Sequence, residues 1–393
     1  MYSFLREKAE KHLQDLVAFT AELVSIPSPS FCEAALANKV EKKMQVLGYD
    51  NVLKDDLGNV AGIIYGRDYS PTLLLLSHMD TSLYPNKQRP RNRSDEERIY
   101  GIGASDCKSG LAVQICAGKL LRENLPLKGN LIVAATVAEH NGCSIGTKFF
   151  IKNTLTASGL QPSFAILGEP TNLGLYYGHD GWIGICVKFK NWNHEMLNRT
   201  CEEFRDFFGK DKKNTSALKE EISTDSPLYN TKNGTAEIKT VHRLRAENEV
   251  LHILRRIRNA ARLICRQYKS SVSVSISRMH YKIGESDLSA RQLSFPWQTD
   301  PLNPFFENAH FALRAAKCTV RGGTFALEKL GMGTAGRSIS EELGIPVIGY
   351  GPGNEEVAHD PDEYVEISKI NEAFFGTAVI AHRIIGEYSA GIY

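Results

Sequence analysis

The chain has 393 residues, 42% of them hydrophobic and 23% charged, which suits two globular domains with a sizeable core. Its 47 basic and 45 acidic residues leave a net charge of +2 with no long block of one sign, which argues against nucleic acid or a membrane surface as partner. No run approaches the ~18 apolar residues of a spanning helix.

The N-terminal stretch MYSFLREKAEKHLQDLVAF reads as one amphipathic helix, without the apolar segment and small-residue cleavage site of a signal peptide. A second helix follows, with Leu36, Val40, Met44 and Leu47 at helical spacing and Gly48 as its stop. Residues 59–65 and 72–76 read as strands, and the charged stretch 87–97 as a solvated loop. An apolar helix at 110–121 and strands at 131–137 and 164–167 complete the first half. This alternation predicts a mostly parallel sheet with helices on both faces.

The pattern changes near Gly181. Residues 182–189 alternate as a half-buried strand, a polar Lys-rich stretch runs over 191–233, and another strand is expected at 236–244. A helix at 248–264 carries the stripe Leu251, Leu254, Ile257, Ala261 and Ile264, and 271–277 alternates strictly. Pro296, Pro301 and Pro304 mark the return to the buried pattern, with a helix at 303–316 and a strand at 346–350. The fold class expected is α/β, a catalytic domain of residues 1–180 and 299–393 with an inserted α+β lid at 181–298. The eight cysteines (32, 107, 116, 143, 186, 201, 265 and 318) show no paired spacing, so free thiols and a cytoplasmic location are expected.

Four apolar strands end in metal-ligand residue types. The 73–76 run leads to His78 and Asp80, and 131–137 leads to Glu139 and His140. The 164–167 run leads to Glu169, and 346–350 leads to His359. Asp106 sits in a glycine-rich loop before a helix. In open α/β sheets, ligands bind beyond the carboxyl ends of the strands. Imidazoles and carboxylates are the zinc donors of a catalytic site, and a dinuclear site needs a shared carboxylate. His78, Asp106, His140, Glu169 and His359 supply such a set, and Glu139 stays available as a general base.

The segments SHMDT, YGIGASDCKSGLA, TVAEHNGCSIGT, ILGEPTN and YGPGNEEVAHDPDEYVEI resemble those of the zinc-dependent aminoacylase and carboxypeptidase family. That family includes acetylornithine deacetylase, succinyl-diaminopimelate desuccinylase and bacterial glutamate carboxypeptidase. The resemblance implies a catalytic domain with an inserted lid that often forms a homodimer. It implies two Zn2+ ions, with Co2+ or Mn2+ as substitutes. His78 and His359 would each bind one metal, Asp106 would bridge them, and Glu169 would complete the second site. Asp80 would orient His78, and Glu139 would be the base for a hydroxide generated at zinc. The implied reaction is amide hydrolysis of an N-acyl amino acid or a short peptide. A dipeptidase or carboxypeptidase on the same scaffold, or a homologue that only binds, remains an alternative.

The chain departs from the family at several positions. Glu139-His140 stands where two glutamates are usual, which makes the ligand set about one unit more positive if His140 binds metal. Ile102 stands where the family has arginine, and Cys107, where it has methionine, is expected to be a packed neighbour. His194 is the lid histidine nearest to the one that reaches a neighbouring subunit in relatives. Arg337, in GTAGR, aligns with an arginine that grips a substrate carboxylate.

Overall fold

The computed structural model describes residues 1–81, 93–140, 144–209, 222–283, 286–325 and 333–387. Most of the expected 87–97 loop, Cys143 and part of the Lys-rich stretch lie outside these residues. An eight-stranded sheet dominates. Its order is Asn51–Lys54, Val60–Ile64, Asn130–Thr136, Thr72–His78, Phe164–Leu167, Val347–Gly349, Leu175–Tyr176 and Gly322–Gly323. Four of its seven neighbouring pairs are parallel, including all those around Thr72–His78.

The pleat divides each central strand between two cores. Leu73, Leu75, Leu131 and Val133 enter one core, and Leu74, Leu76, Ile132 and Ala134 enter the other. Every residue of Thr72–His78 and of Asn130–Thr136 is buried, because helices cover both faces. The first core takes helices Ser109–Asn124, Pro304–Ala315 and Ile367–Ile385. The second takes Phe150, Leu155, Ile339, Trp297 and Phe325.

A second, antiparallel sheet centres on Gly181–Lys190, which pairs with Thr235–Leu244 and Ser271–Ile276. Helices His194–Gly209 and Glu249–Tyr268 cover one of its faces and form a third core with Ile183, Ile185, Val187 and Phe189. Strand Ser271–Ile276 alternates between exposed and half-buried residues, as a strand with a wet face does.

Three details differ from the expected elements. The N-terminal helix is two helices, Tyr2–Lys11 and Leu13–Ser25. They meet at His12, whose N–H bonds to the Ala9 carbonyl at 3.1 Å in a tightened turn. The hairpin of Arg278–Ile283 with Ser286–Arg291 lies where no strands were expected. The helix Ile367–Ile385, buried on every side from Ala373 to His382, was not among the expected elements. Among the described residues, no helix is long and apolar enough to cross a membrane.

Close backbone contacts bring the strand ends together. Gly110, in the first turn of its helix, lies against the Gly168 carbonyl, and a Cβ there would sit 1.8 Å from that oxygen. The helix that follows Asp106 is thereby seated on the loop that carries Glu169. The substitution Gly110→Ala should force the two apart and cost about 2–3 kcal/mol, the range of an overpacked site. Urea unfolding measures this. Wild-type stability in the variant would show that the contact does not constrain the loop.

Candidate metal centre

His78 is the last residue of the central strand, and its Nε2 lies 3.1 Å from Asp106 Oδ1 and 3.8 Å from Glu169 Oε2. On the other side of the same carboxylate, His359 Nε2 is 2.7 Å and His140 Nε2 is 3.9 Å from Asp106 Oδ2. All five expected ligand residues therefore meet in one cluster. It divides into two groups that share Asp106. Glu169 falls with His78, and His140 falls with His359. The His140 ring packs 4.7 Å from the His78 ring and 4.6 Å from the His359 ring, centroid to centroid.

Asp80 links two strand ends. Its carboxylate accepts hydrogen bonds from the backbone N–H groups of Glu139 and His140, both at 2.9 Å, and from Ser30 Oγ at 2.6 Å. Burial alone would raise this carboxyl. The hydrogen bonds and the neighbouring histidines outweigh it and hold Asp80 well below the usual range. His78 Nδ1 lies 2.9 Å from the Asp80 main-chain carbonyl and 3.5 Å from the Asp80 carboxylate. The carbonyl is the closer acceptor and assigns the proton to Nδ1, so the Nε2 lone pair faces Asp106 and Glu169.

Glu139 lies under the cluster, 4% exposed. Ser144 Oγ donates to its Oε1 at 2.6 Å. Burial pushes the Glu139 carboxyl up to about 7, against the hydrogen bond from Ser144. The residue before it, Ala138, is held at φ +53°, a costly conformation for a residue with a Cβ. Its N–H donates to Glu33 Oε1 at 2.9 Å.

The loop that carries Asp106 is fixed by Glu363. This buried carboxylate accepts from the N–H groups of Gly103 at 3.1 Å, Ser105 at 2.8 Å and Asp106 at 2.9 Å. Lys108, also buried, donates to the Ile26 carbonyl at 2.7 Å, and burial lowers its ammonium to about 8. Ser105 Oγ donates to the Asn354 carbonyl and accepts from the Asn354 N–H, so the loop is tied to the segment leading to His359. His359 itself adopts φ +61°. Glu33, Ser144 and Glu363 went unread in the sequence. Glu33 looks like the start of a helix, and Glu363 sits in an acidic run that reads as solvated.

Cys107 Sγ falls within the His78 group, but it accepts from the His78 N–H at 3.3 Å and burial pushes its thiol up to about 12. It is a packed neighbour and not a nucleophile. The other described cysteines, at 32, 116, 186, 201, 265 and 318, are free thiols. His194 is not brought to the cluster; it is exposed at the start of helix His194–Gly209. Arg337 is engaged already, with Nη2 2.6 Å from Glu247 and Nε 3.1 Å from Glu341.

The cluster fits a divalent-cation pair on its own chemistry. Three imidazoles and two carboxylates converge, a donor set suited to zinc-class ions. Glu169 Oε1 is buried and has no hydrogen-bond partner among the described residues. Burial pushes the Glu169 carboxyl well above its usual range, a cost that a bound cation relieves.

Residues of metal-ligand type beyond the carboxyl ends of the sheet, around one shared carboxylate and with a buried glutamate beside them, are the arrangement of a metal-dependent hydrolase. The chain belongs to the peptidase family M20/M25/M40, whose profile matches residues 74–382. It is 26% identical to the Escherichia coli K12 protein YgeY over 386 residues, covering 92% of both chains. It is 25% identical to a putative succinyl-diaminopimelate desuccinylase of Mycobacterium tuberculosis over 374 residues, covering 91% of this chain and 96% of that one. Its fold matches YxeP of Bacillus subtilis, described as a dinuclear metal-binding peptidase of the M20 family. That match has a TM-score of 0.67 at 14% identity, over 95% of this chain and 98% of the other.

The buried carboxyls also set a pH dependence of stability. Burial, with the charge of Asp80 adding to it, pushes Glu33 from 4.5 up to about 7. A raised carboxyl contributes its full stability below its unfolded pKa and loses it as pH climbs through the folded one. Glu33→Gln keeps an acceptor for the Ala138 N–H and removes the titration. At pH 8 the variant should be up to about 3 kcal/mol more stable than wild type, and at pH 5 by no more than about 1 kcal/mol. Urea unfolding at the two pH values checks this, and a difference independent of pH would exclude Glu33 as the titrating group.

Proposed function

We propose that this enzyme hydrolyses an amide bond, removing the acyl group from an N-acyl amino acid or cleaving a small peptide, in the cytoplasm and with two zinc ions. The observation that carries the reading is the pair of ligand groups around Asp106 with Glu139 buried beside them. His78, Asp106 and Glu169 would hold one cation, and Asp106, His140 and His359 the other. Cobalt or manganese would substitute. The cation pair supplies Lewis acidity toward the substrate carbonyl and a water.

The protein's own groups handle the proton. Ser144 fixes Glu139 Oε1, and Glu139 Oε2 is buried with no partner among the described residues. This oxygen takes a proton from water as the new C–O bond forms, and returns it to the amide nitrogen as the C–N bond breaks. A carboxyl poised near 7 suits both directions of transfer. Asp80 holds Glu139 and His140 in register with His78. His194 is exposed at the start of its helix and would reach a second site only across a homodimer.

A panel of N-acyl amino acids and dipeptides, assayed with added zinc, cobalt or manganese, tests the reading and separates deacylase from peptidase. Glu139→Gln should lower kcat by roughly 10²–10⁴ while bound metal stays at the wild-type level. Equal activity in every assay would instead favour a protein that only binds. His140→Ala should reduce bound zinc from about two equivalents to about one. Retention of both would remove His140 from the ligand set.

A further inference from the structure

Residues 26–33 run past three of the segments that carry the ligand cluster and are hydrogen-bonded to each. The Ile26 carbonyl accepts from Lys108 Nζ at 2.7 Å, at the end of the turn that holds Asp106. The Ser28 carbonyl accepts from the Thr81 N–H at 2.9 Å, and Ser28 Oγ donates to the Met79 carbonyl at 2.8 Å. Those bonds fall on either side of Asp80, and Ser30 Oγ donates to the Asp80 carboxylate itself at 2.6 Å. Glu33 ends the segment, where its Oε1 accepts from the Ala138 N–H at 2.9 Å.

Glu33 begins helix Ala34–Val46, but its side chain does not cap that helix. It is buried and turned toward Ala138 instead. Ala138 is the second of four consecutive residues whose N–H groups are accepted by distant side chains. Asn59 Oδ1 takes the Val137 N–H at 2.9 Å, and Asp80 takes those of Glu139 and His140. Ala138, at φ +53°, is the strained member of the run, so its acceptor has the most to hold. Ala138 is fully buried, and an acceptor drawn back by one methylene would leave its N–H without a partner. The turn would then relax toward negative φ. The Glu139 carboxylate and the His140 ring, one and two residues on, would move with it.

We propose that residues 26–33 form a positioning strap and that Glu33 is its decisive residue, fixing through the Ala138 N–H where the proposed base Glu139 and the proposed ligand His140 stand. Glu33 acts through that turn and not by contact with a cation or a substrate. For Glu139 the inference rests on the hydrolase reading. For His140 it rests on cation binding alone.

Two variants of the full chain separate reach from charge. Glu33→Gln keeps an oxygen at the same reach and loses the charge, and Glu33→Asp keeps the charge and loses the reach. Cobalt titration followed by visible absorption reads the cation sites without turnover. Glu33→Asp should weaken the binding step that His140→Ala abolishes by about tenfold or more and leave the other within about twofold, while Glu33→Gln matches wild type at both. With cobalt saturating, kcat for the fastest substrate of the panel should fall at least about tenfold in Glu33→Asp, with KM within about twofold, and return in Glu33→Gln. Ser30→Ala, at a half-buried position, cuts the same strap where Asp80 Oδ2 takes the His140 N–H, and decides the matter if the aspartate variant fails to melt cooperatively. It should weaken the same step about fivefold. Loss of both steps alike, or of neither, overturns the strap. Equal losses in the glutamine and aspartate variants assign the effect to charge and overturn it too. The expected cobalt pattern without turnover of any amide by wild type overturns the hydrolase reading and leaves the strap standing at His140.

Discussion

The cluster depends on one carboxylate being held with both oxygens in use. Asp106 faces His78 with Oδ1 and the two other histidines with Oδ2, and Glu169 shares the His78 group. Free rotation of this side chain would dissolve both groups together. Its backbone is fixed by Glu363, which gathers three N–H groups of the loop into one buried carboxylate. Each of these donors would otherwise be a buried polar group without a partner, at about 1–3 kcal/mol apiece. The seating of Gly110 on Gly168 sets the distance from Asp106 to the Glu169 loop.

A second anchor follows from the sheet register. His78 stands opposite Thr136 in the parallel pair, so Glu139 and His140 lie beyond the last residue that the ladder can place. Three groups bring the chain back. Ala138 takes a left-handed turn, Glu33 accepts its N–H, and Asp80 accepts the next two. The strained turn is affordable because it is over-determined by these hydrogen bonds. Asp80 thus does more than orient His78 and sets the spacing between the proposed base and two of the proposed ligands. Glu33 and Glu363 are buried as deeply as the ligands themselves, so the cluster stands on carboxyls whose own burial is costly.

The ligand-type residues were legible because they follow apolar runs that can only be buried parallel strands. His78, Glu139, His140 and Glu169 all sit just past such runs, and the structure gathers them. Asp106 and His359 were readable through glycine-rich loops. The supporting residues were not, because their partners are distant in sequence. Glu363 is 257 positions from Asp106, and Glu33 is 105 positions from Ala138. A carboxylate that accepts backbone N–H groups leaves no spacing in the chain. Helix Ile367–Ile385 was lost for a related reason, being buried nearly all round, whereas the 278–291 hairpin was legible, since Met279, Tyr281 and Ile283 alternate with polar residues.

The unusual His140 changes the charge of the site. Exchanging the usual glutamate for an imidazole removes one negative charge from the proposed ligand set. Burial and the nearby charge of His78 lower the His140 imidazole to about 4, so it adds no charge of its own near neutrality. Two divalent cations held by Asp106 and Glu169 alone would leave the cluster with a net positive charge. A neutral substrate would leave this charge uncompensated in a partly desolvated space. A carboxylate on the substrate would offset it. Electrostatic complementarity of this kind selects among substrates more than it strengthens binding overall.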